Sequence, residues 1–468
     1  MLNLTIDEIV EVTKGELLGN PPQKGFFEVS TDSRTIKPDS LFIALKGDKF
    51  DGHNFINAAS ERGATGVVVS EGLNNKQEII GNKQQCLIQV RDTLTALQEL
   101  AHFYKSKMKL RTIAITGSNG KSTTKEMVAS VCSQRLRVLK TEGNNNNLIG
   151  LPLTLLKLQP EHQVDVLELG MNKKGEIRRL TEISEPDYGI ITNINMSHIE
   201  FFKSVDEIAE AKAELFQTMN KKAIAILNAD DFYFSKLKRF VKGSLITVGI
   251  KNKADVMAMD IKSKNGKTYF TLRTSTGEIP IYLPLVGEFN VINALYAAAI
   301  GTRYYSNLDI IRVGLEKVKD MPMRMNITSI GNKINVINDA YNANPASMKE
   351  AIKVLKEINP DSRHIAIIGD MLELGDWTEN AHRDIGNYIA KFNLSYLFTL
   401  GSAAQILAQE AIRQGMNKDS VFICEDHGDI AQRLKDIVRE GDWLLVKGSR
   451  RMAMEKVINA LSSTLSLT

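Results

Sequence analysis

The stretch Ile113-Ala114-Ile115-Thr116-Gly117-Ser118-Asn119-Gly120-Lys121-Ser122-Thr123-Thr124-Lys125 constrains this chain more than any other. Apolar residues alternate up to a strand end. A glycine-rich turn follows, and a helical run continues through residues 126–132. Strand, turn and helix start, in that order, make a cradle for phosphate. Gly117 and Gly120 let backbone N–H groups of Ser118, Asn119 and their neighbours turn inward, and the helix N-terminus adds partial positive charge. Lys121 is placed to reach outer phosphates. The Ser122 hydroxyl, with Thr123 beside it, is placed to hold Mg²⁺. Ile115 stands where the longer form of this motif has its first glycine. What remains is specific for a nucleoside triphosphate, but does not say what the phosphate is used for.

A chain of 468 residues is too long for one core, and its length suggests about three domains. The polar, basic stretch at 105–109 marks the first boundary, and Pro322-Met323-Arg324-Met325 the second. The expected domains are 1–108, 109–322 and 323–468. With 59 basic and 55 acidic residues, scattered along the chain, the net charge of +4 favours neither nucleic acid nor a membrane surface as partner. Cys86, Cys132 and Cys424 lack metal-ligand spacing and read as reduced thiols of a cytoplasmic protein. Acidic residues interrupt the apolar N-terminus, which argues against a signal peptide, and no apolar run is long enough to span a bilayer.

The first segment reads as a helix at 6–12, strands at 26–30, 40–45 and 64–70, and a helix at 93–104. Strands and helices alternate in the second segment, which predicts a mostly parallel sheet, with a β meander over 244–283. The third segment alternates strands at 334–338, 364–368, 396–400, 421–424 and 443–446 with helices starting near Pro345, Asn380, Ala403, Asp429 and Arg451. That is a doubly wound, Rossmann-like pattern. The fold class is therefore α/β in three domains.

Glu168 falls at a strand end in the phosphate-loop domain, the edge where such sheets bind ligands. A carboxylate there suits Mg²⁺, although it also fits a solvated strand end. His198 follows the next strand and is either a structural histidine or a metal ligand. Lys212 falls in the middle of the apolar face of a helix over 205–219, between Ile208 and Leu215. Either its head snorkels to water, or its amine is held inward, where burial disfavours the proton. A neutral amine can take up CO₂ as a carbamate. Arg324, at a domain junction, can reach a transferring phosphoryl group or make an interdomain ion pair. Three polar loops of the third segment, at 338–348, 369–375 and 446–450, lie at strand C-terminal ends and suggest a second substrate site.

These stretches together resemble the Mur ligase family. The residues carrying the resemblance include Ser30-Thr31-Asp32-Ser33-Arg34, the phosphate loop, Gly143-Asn144, Glu168-Leu169-Gly170-Met171, His198, and Ala211-Lys212-Ala213-Glu214. Asp339-Ala340-Tyr341-Asn342-Ala343-Asn344-Pro345, Gly369-Asp370-Met371-Leu372-Glu373-Leu374-Gly375 and Val446-Lys447-Gly448-Ser449-Arg450 point, within the family, to the member that takes D-alanyl-D-alanine. The resemblance implies an ATP-dependent, ADP-forming ligase that joins this dipeptide to UDP-N-acetylmuramoyl-tripeptide in peptidoglycan synthesis, as a cytoplasmic monomer. It implies ATP held by the phosphate loop, Asn293, Arg324 and Asp339, and two Mg²⁺ held by Ser122, Glu168, His198 and a carbamylated Lys212. It implies substrate contacts at Ser33, Arg34, Thr141, Asn144, Asn342 and Asn344, and a catalytic set of Lys121, Glu168, His198, Lys212 and Arg324. Phe289 stands where the family often has histidine, and Ser122 where threonine is more usual.

Rival readings are another amide ligase of the superfamily, such as the one adding the third residue or folylpolyglutamate synthase, a nucleotide-dependent kinase or switch, and a non-catalytic scaffold. The 341–345 block argues against the first.

Overall fold

Three sheets succeed one another along the chain in the computed structural model, which describes residues 4–20, 25–47, 50–72, 85–264, 266–331 and 333–466. The first has the strand order Glu16–Gly19, Cys86–Val90, Ala64–Ser70, Ser40–Ile43, Val29–Ser30, and only Glu16–Gly19 runs antiparallel to its neighbour. Val67 and Val69 pack on one face of it and Val68 on the other, the period of two that a sheet buried on both sides requires. The expected strand at 26–30 shrinks to Val29–Ser30.

The second sheet runs Gly277–Leu283, Lys267–Thr274, Val256–Lys264, Ser244–Gly249, Ile224–Asn228, Tyr188–Ile191, Arg111–Thr116, Val164–Glu168, Val138–Lys140. Its centre is parallel, with Arg111–Thr116 between Tyr188–Ile191 and Val164–Glu168. The meander expected over 244–283 is only partly present. Ser244–Gly249 and Val256–Lys264 extend the parallel part, and antiparallel pairing begins with Lys267–Thr274. The Asp230 carboxylate accepts N–H bonds from Ile250 and Asn252 at 2.6 and 2.7 Å, and so draws the connecting turn across the sheet end. Alternation of side chains reports a strand, not its direction.

The third sheet has the order Asn326–Ile330, Ile334–Asp339, Trp443–Lys447, His364–Gly369, Tyr396–Leu400, Val421–Cys424, parallel except for the first strand. Chain order reverses around Trp443–Lys447, so a crevice opens beside its carboxyl end. Pro345 occupies the first turn of helix Pro345–Ile358, as its fixed φ favours.

Helix Thr93–Ser106 packs against the second sheet's helices as well as the first sheet. Its Tyr104 hydroxyl donates to Leu158 O at 2.9 Å, and its Gln98 accepts from Arg179 Nε at 2.8 Å. Among the described residues no helix is long and apolar enough to cross a membrane. The three cysteines are free and buried.

Candidate active site

Helix Lys121–Cys132 starts directly from the turn after Arg111–Thr116, earlier than the sequence pattern suggested. Gly120 caps it at φ 78°, and Gly117 has φ 146°. A Cβ on Gly117 would lie 1.9 Å from Thr192 Oγ1, and one on Gly120 would lie 2.6 Å from Asn293 Oδ1. Both positions therefore require glycine for space as well as for φ. The turn is tied to the next strand's loop. Ser118 N donates to Asn193 O, Asn119 N donates to Asn193 Oδ1, and the Thr192 hydroxyl donates to Asn119 O at 2.6 Å.

The Ser122 hydroxyl donates to Glu168 Oε2 at 2.7 Å and accepts from Arg324 Nη2 at 2.9 Å. Asn146 Nδ2 holds the other Glu168 oxygen at 2.9 Å. The Arg324 guanidinium lies 3.9 Å from the Tyr341 ring centroid, so an aromatic face from the third segment sets its plane. Thr141 is buried below this cluster. Its hydroxyl accepts from Glu168 N at 3.0 Å, and its carbonyl accepts from Lys125 Nζ at 2.6 Å.

Lys212 projects from helix Val205–Thr218 into the interior and is only 2% exposed. The snorkelling alternative is excluded by this burial. Its Nζ donates to Gly117 O at 3.0 Å, the same carbonyl that Lys121 Nζ reaches at 2.9 Å. Burial, then the neighbouring Lys121, pushes the Lys212 amine well below the ordinary lysine range. Burial also lowers Lys121, partly offset by the Glu168 carboxylate. Glu214 locks the same helix in place by accepting from Gly175 N at 2.9 Å and Arg178 N at 3.1 Å.

The second and third segments meet over a cavity of about 490 Å³. Its walls carry the phosphate loop, Glu168, His198, Lys212 and Asn293 on one side, and Asp339, Tyr341, Asn342, Asn344 and Lys447 on the other. Asn344 Nδ2 donates to Asn119 Oδ1 at 2.7 Å across this seam. Lys447, 1% exposed, is bound by Asp339 Oδ2 at 2.5 Å and Asn342 O at 2.9 Å. His198 Nδ1 lies 2.6 Å from Glu373 Oε2, within hydrogen-bond distance although the ring N–H is not aligned on the oxygen. The contact with His198 holds the Glu373 carboxyl below its usual range.

The description "Mur ligase middle domain" matches residues 115–301, "Mur ligase, glutamate ligase domain" residues 323–450, and "Mur ligase family, catalytic domain" residues 27–105. UDP-N-acetylmuramoyl-tripeptide–D-alanyl-D-alanine ligase of Bacillus subtilis is 36% identical, over 98% of this chain and 99% of its own length. The chain belongs to the Mur ligase family. The protein of the same name from Escherichia coli is 34% identical over 98% of this chain and 99% of its own length. A crystal structure of MurF from Acinetobacter baumannii superposes with a TM-score of 0.90 at 30% identity, covering 98% of each chain. With that membership, this ligase is an ATP-dependent, ADP-forming enzyme.

Most residues expected at the site meet at the one cavity: Ser118 to Thr123, Glu168, His198, Lys212, Asn293, Arg324, Asp339, Asn342 and Asn344. Some of these side chains are already engaged within the protein, and other expected residues lie outside the cavity. Thr141 supports Glu168 from beneath and is not part of the cavity wall. Asn144 is exposed and outside the cavity, and Asn146 takes the place nearby on its wall. The Asn344 amide is committed to capping helix Pro345–Ile358 through Ser347 N and to the Asn119 bond. Asp339 is engaged by Lys447 and by Met325 N at 3.0 Å, because a buried ammonium needs a carboxylate. Ser33 and Arg34 lie away from the cavity. Arg34 is exposed and holds Asp32 at about 2. His382 is structural, its Nε2 accepting from Met371 N at 3.0 Å. Asn193, Tyr341 and Lys447 were not assigned roles from the sequence, and the signal available for the last two was their place in the strand-end loops.

Ser122 and Glu168 present two hard oxygen donors side by side, which fits Mg²⁺. Among the described residues no group of three or more His, Cys, Asp and Glu forms a closed metal cage.

Proposed function

We propose that this ligase joins D-alanyl-D-alanine to UDP-N-acetylmuramoyl-tripeptide, in the cytoplasm and as a monomer. Residues 1–108 take the UDP-sugar, with Ser33 and Arg34 near the nucleotide. Residues 109–322 take ATP, and residues 323–468 take the dipeptide. The supporting observation is the seam cavity. It sets the phosphate loop against the 338–348 loop and Lys447 of the third segment, which supports a shared space for donor and acceptor.

The tripeptide carboxylate attacks the γ-phosphorus, the bond to the bridging oxygen breaks, and ADP leaves. The acyl phosphate that results is attacked at its acyl carbon by the dipeptide amine. Phosphate departs with the C–O electron pair, and the amine loses its proton. In-line positioning and charge stabilisation carry such a step. Lys121 and the N–H groups of Gly120, Lys121 and Ser122, where helix Lys121–Cys132 begins, hold the β- and γ-phosphates. Arg324, oriented by Tyr341, faces the charge that develops on the moving phosphoryl group. Asn293 contacts the base side, and Asn342 the acceptor. Ser122, Glu168, His198 and Lys212 would hold two Mg²⁺, which supply charge neutralisation on the phosphate oxygens. Lys212 serves as its carbamate: the neutral amine adds to CO₂, releases a proton, and presents an oxygen anion beside Lys121.

The test compares D-alanyl-D-alanine, single amino acids and glutamate as acceptors, with ADP release followed in the presence and absence of the UDP-muramoyl-tripeptide. Release dependent on both the tripeptide and the dipeptide is expected. Preference for a single amino acid would sink the assignment.

A further inference from the structure

The 369–375 loop of the third segment touches the second segment at a histidine. His198 and Glu373 both have left-handed backbone, with φ of 54° and 62°. Non-glycine residues keep that conformation only where the surroundings hold it, and such residues gather at functional sites. Here the surroundings are the seam. Glu200 N donates to Glu373 O at 3.2 Å, and a Cβ added to Gly375 would lie 3.3 Å from Glu200 Cα. The loop is fixed from behind as well, by Met371 N to His382 Nε2 at 3.0 Å and Leu372 N to Ser449 Oγ at 2.8 Å. The Glu373 carboxylate is thereby brought to 2.6 Å from His198 Nδ1. His198 lines the cavity with Glu168 and Ser122, whereas Glu373 does not.

A carboxylate this close to one imidazole nitrogen favours the proton there, and a small turn of the ring that aligns the N–H leaves the other nitrogen with its lone pair. Histidines that bind metals are commonly held in this way by an outer carboxylate. We propose that Glu373 is a positioning residue for His198: it fixes Nδ1 as the protonated nitrogen and presents Nε2 to the divalent cation. The third segment thus completes the second segment's cation site when the two are docked. The inference rests on the Mg²⁺ reading above and adds to it a residue from across the seam.

The experiment titrates Mn²⁺, as a paramagnetic probe, into the full-length protein with ADP, and reads free Mn²⁺ by electron paramagnetic resonance. Glu373→Ala should weaken Mn²⁺ binding by about tenfold, the lower end for loss of an outer-sphere partner. Glu373→Asp should recover part of that loss. His198→Ala should weaken binding at least as much, and adding Glu373→Ala to it should change nothing further. Affinity for the UDP-substrate, measured by calorimetry, should stay at the parent value throughout. Parent-like Mn²⁺ affinity in Glu373→Ala beside a weakened His198→Ala overturns the positioning role alone. So does an equal loss from Glu373→Ala in both backgrounds, or tighter binding without the carboxylate. Parent-like affinity in His198→Ala removes the histidine from the cation site, and the reading beneath the inference with it.

Discussion

Lys121 and Lys212 donate to the same oxygen, the carbonyl of Gly117, at 2.9 and 3.0 Å. Two ammonium groups cannot share one acceptor in a buried site at low cost, so burial and the neighbouring Lys121 push the more deeply enclosed Lys212 amine toward its neutral form. A carbamate on Lys212 would turn this repulsion into an attraction. Lys212→Ala should lose nearly all ligation yet remain folded, because no charge pair is broken by it. Formate or acetate should restore part of the rate to this variant and none to the parent. Labelled ¹³CO₂ should give the parent a carbamate resonance that the variant lacks. An active Lys212→Ala would end the carbamate reading.

Arg324 depends on Tyr341 for its orientation, with the guanidinium 3.9 Å from the ring centroid and Nη2 on Ser122 Oγ. Lysine keeps the charge but has neither plane nor fork. Arg324→Lys should therefore lower kcat by about 100-fold, the scale of losing one donor to transition-state charge. KM for the UDP-substrate should barely move. Rapid-quench measurement of ADP formation places the loss at phosphoryl transfer. A parent-like burst of ADP would contradict this role.

Asn344 has two separable duties. Its Oδ1 caps helix Pro345–Ile358, and its Nδ2 bonds Asn119 across the seam. Asn344→Ala should cost about 1 kcal/mol from the cap alone. Asn344→Ser restores a cap without reaching Asn119. Its Tm should match the parent while KM for ATP rises. If Asn344→Ser has parent kinetics, the seam bond has no part in closure over the nucleotide.

Asp165 lies in the parallel strand Val164–Glu168, opposite Thr112, with its carboxyl group fully buried. Burial raises it to about 7. Between about pH 4 and pH 7 the native state holds a proton that the unfolded chain has lost, so stability falls as pH rises through that window. The slope disappears above it. The difference in stability between Asp165→Asn and the parent should grow across the window by on the order of 4 kcal/mol and then level off. Thermal melts at several pH values would show it, and a difference independent of pH would rule it out.

Much of this was legible along the chain. The phosphate cradle is local, because a strand, two glycines and a helix start are contiguous and each requires its neighbour. The inward set of Lys212 follows from helical period alone, since Ile208 and Leu215 flank it on one face. Strand 64–70 was placed by its apolar run, and Pro345 by the φ it imposes. Strand direction in 244–283 was not legible, because alternation is the same in parallel and antiparallel pairing and the Asp230 bonds that decide it span the sheet edge. Nor could sequence show that Asp339 and Asn344 are already engaged, that Thr141 faces inward, or that Glu373 meets His198. Those facts depend on which residues the seam between two independently built sheets brings within hydrogen-bond reach. The sequence by itself determined that a glycine-rich phosphate-loop turn joins a strand of a parallel sheet to a helix, and that polar loops gather at strand ends of the third segment. Only the tertiary structure decided which side chains face which, because contacts between distant segments arise from packing, and no local period encodes them.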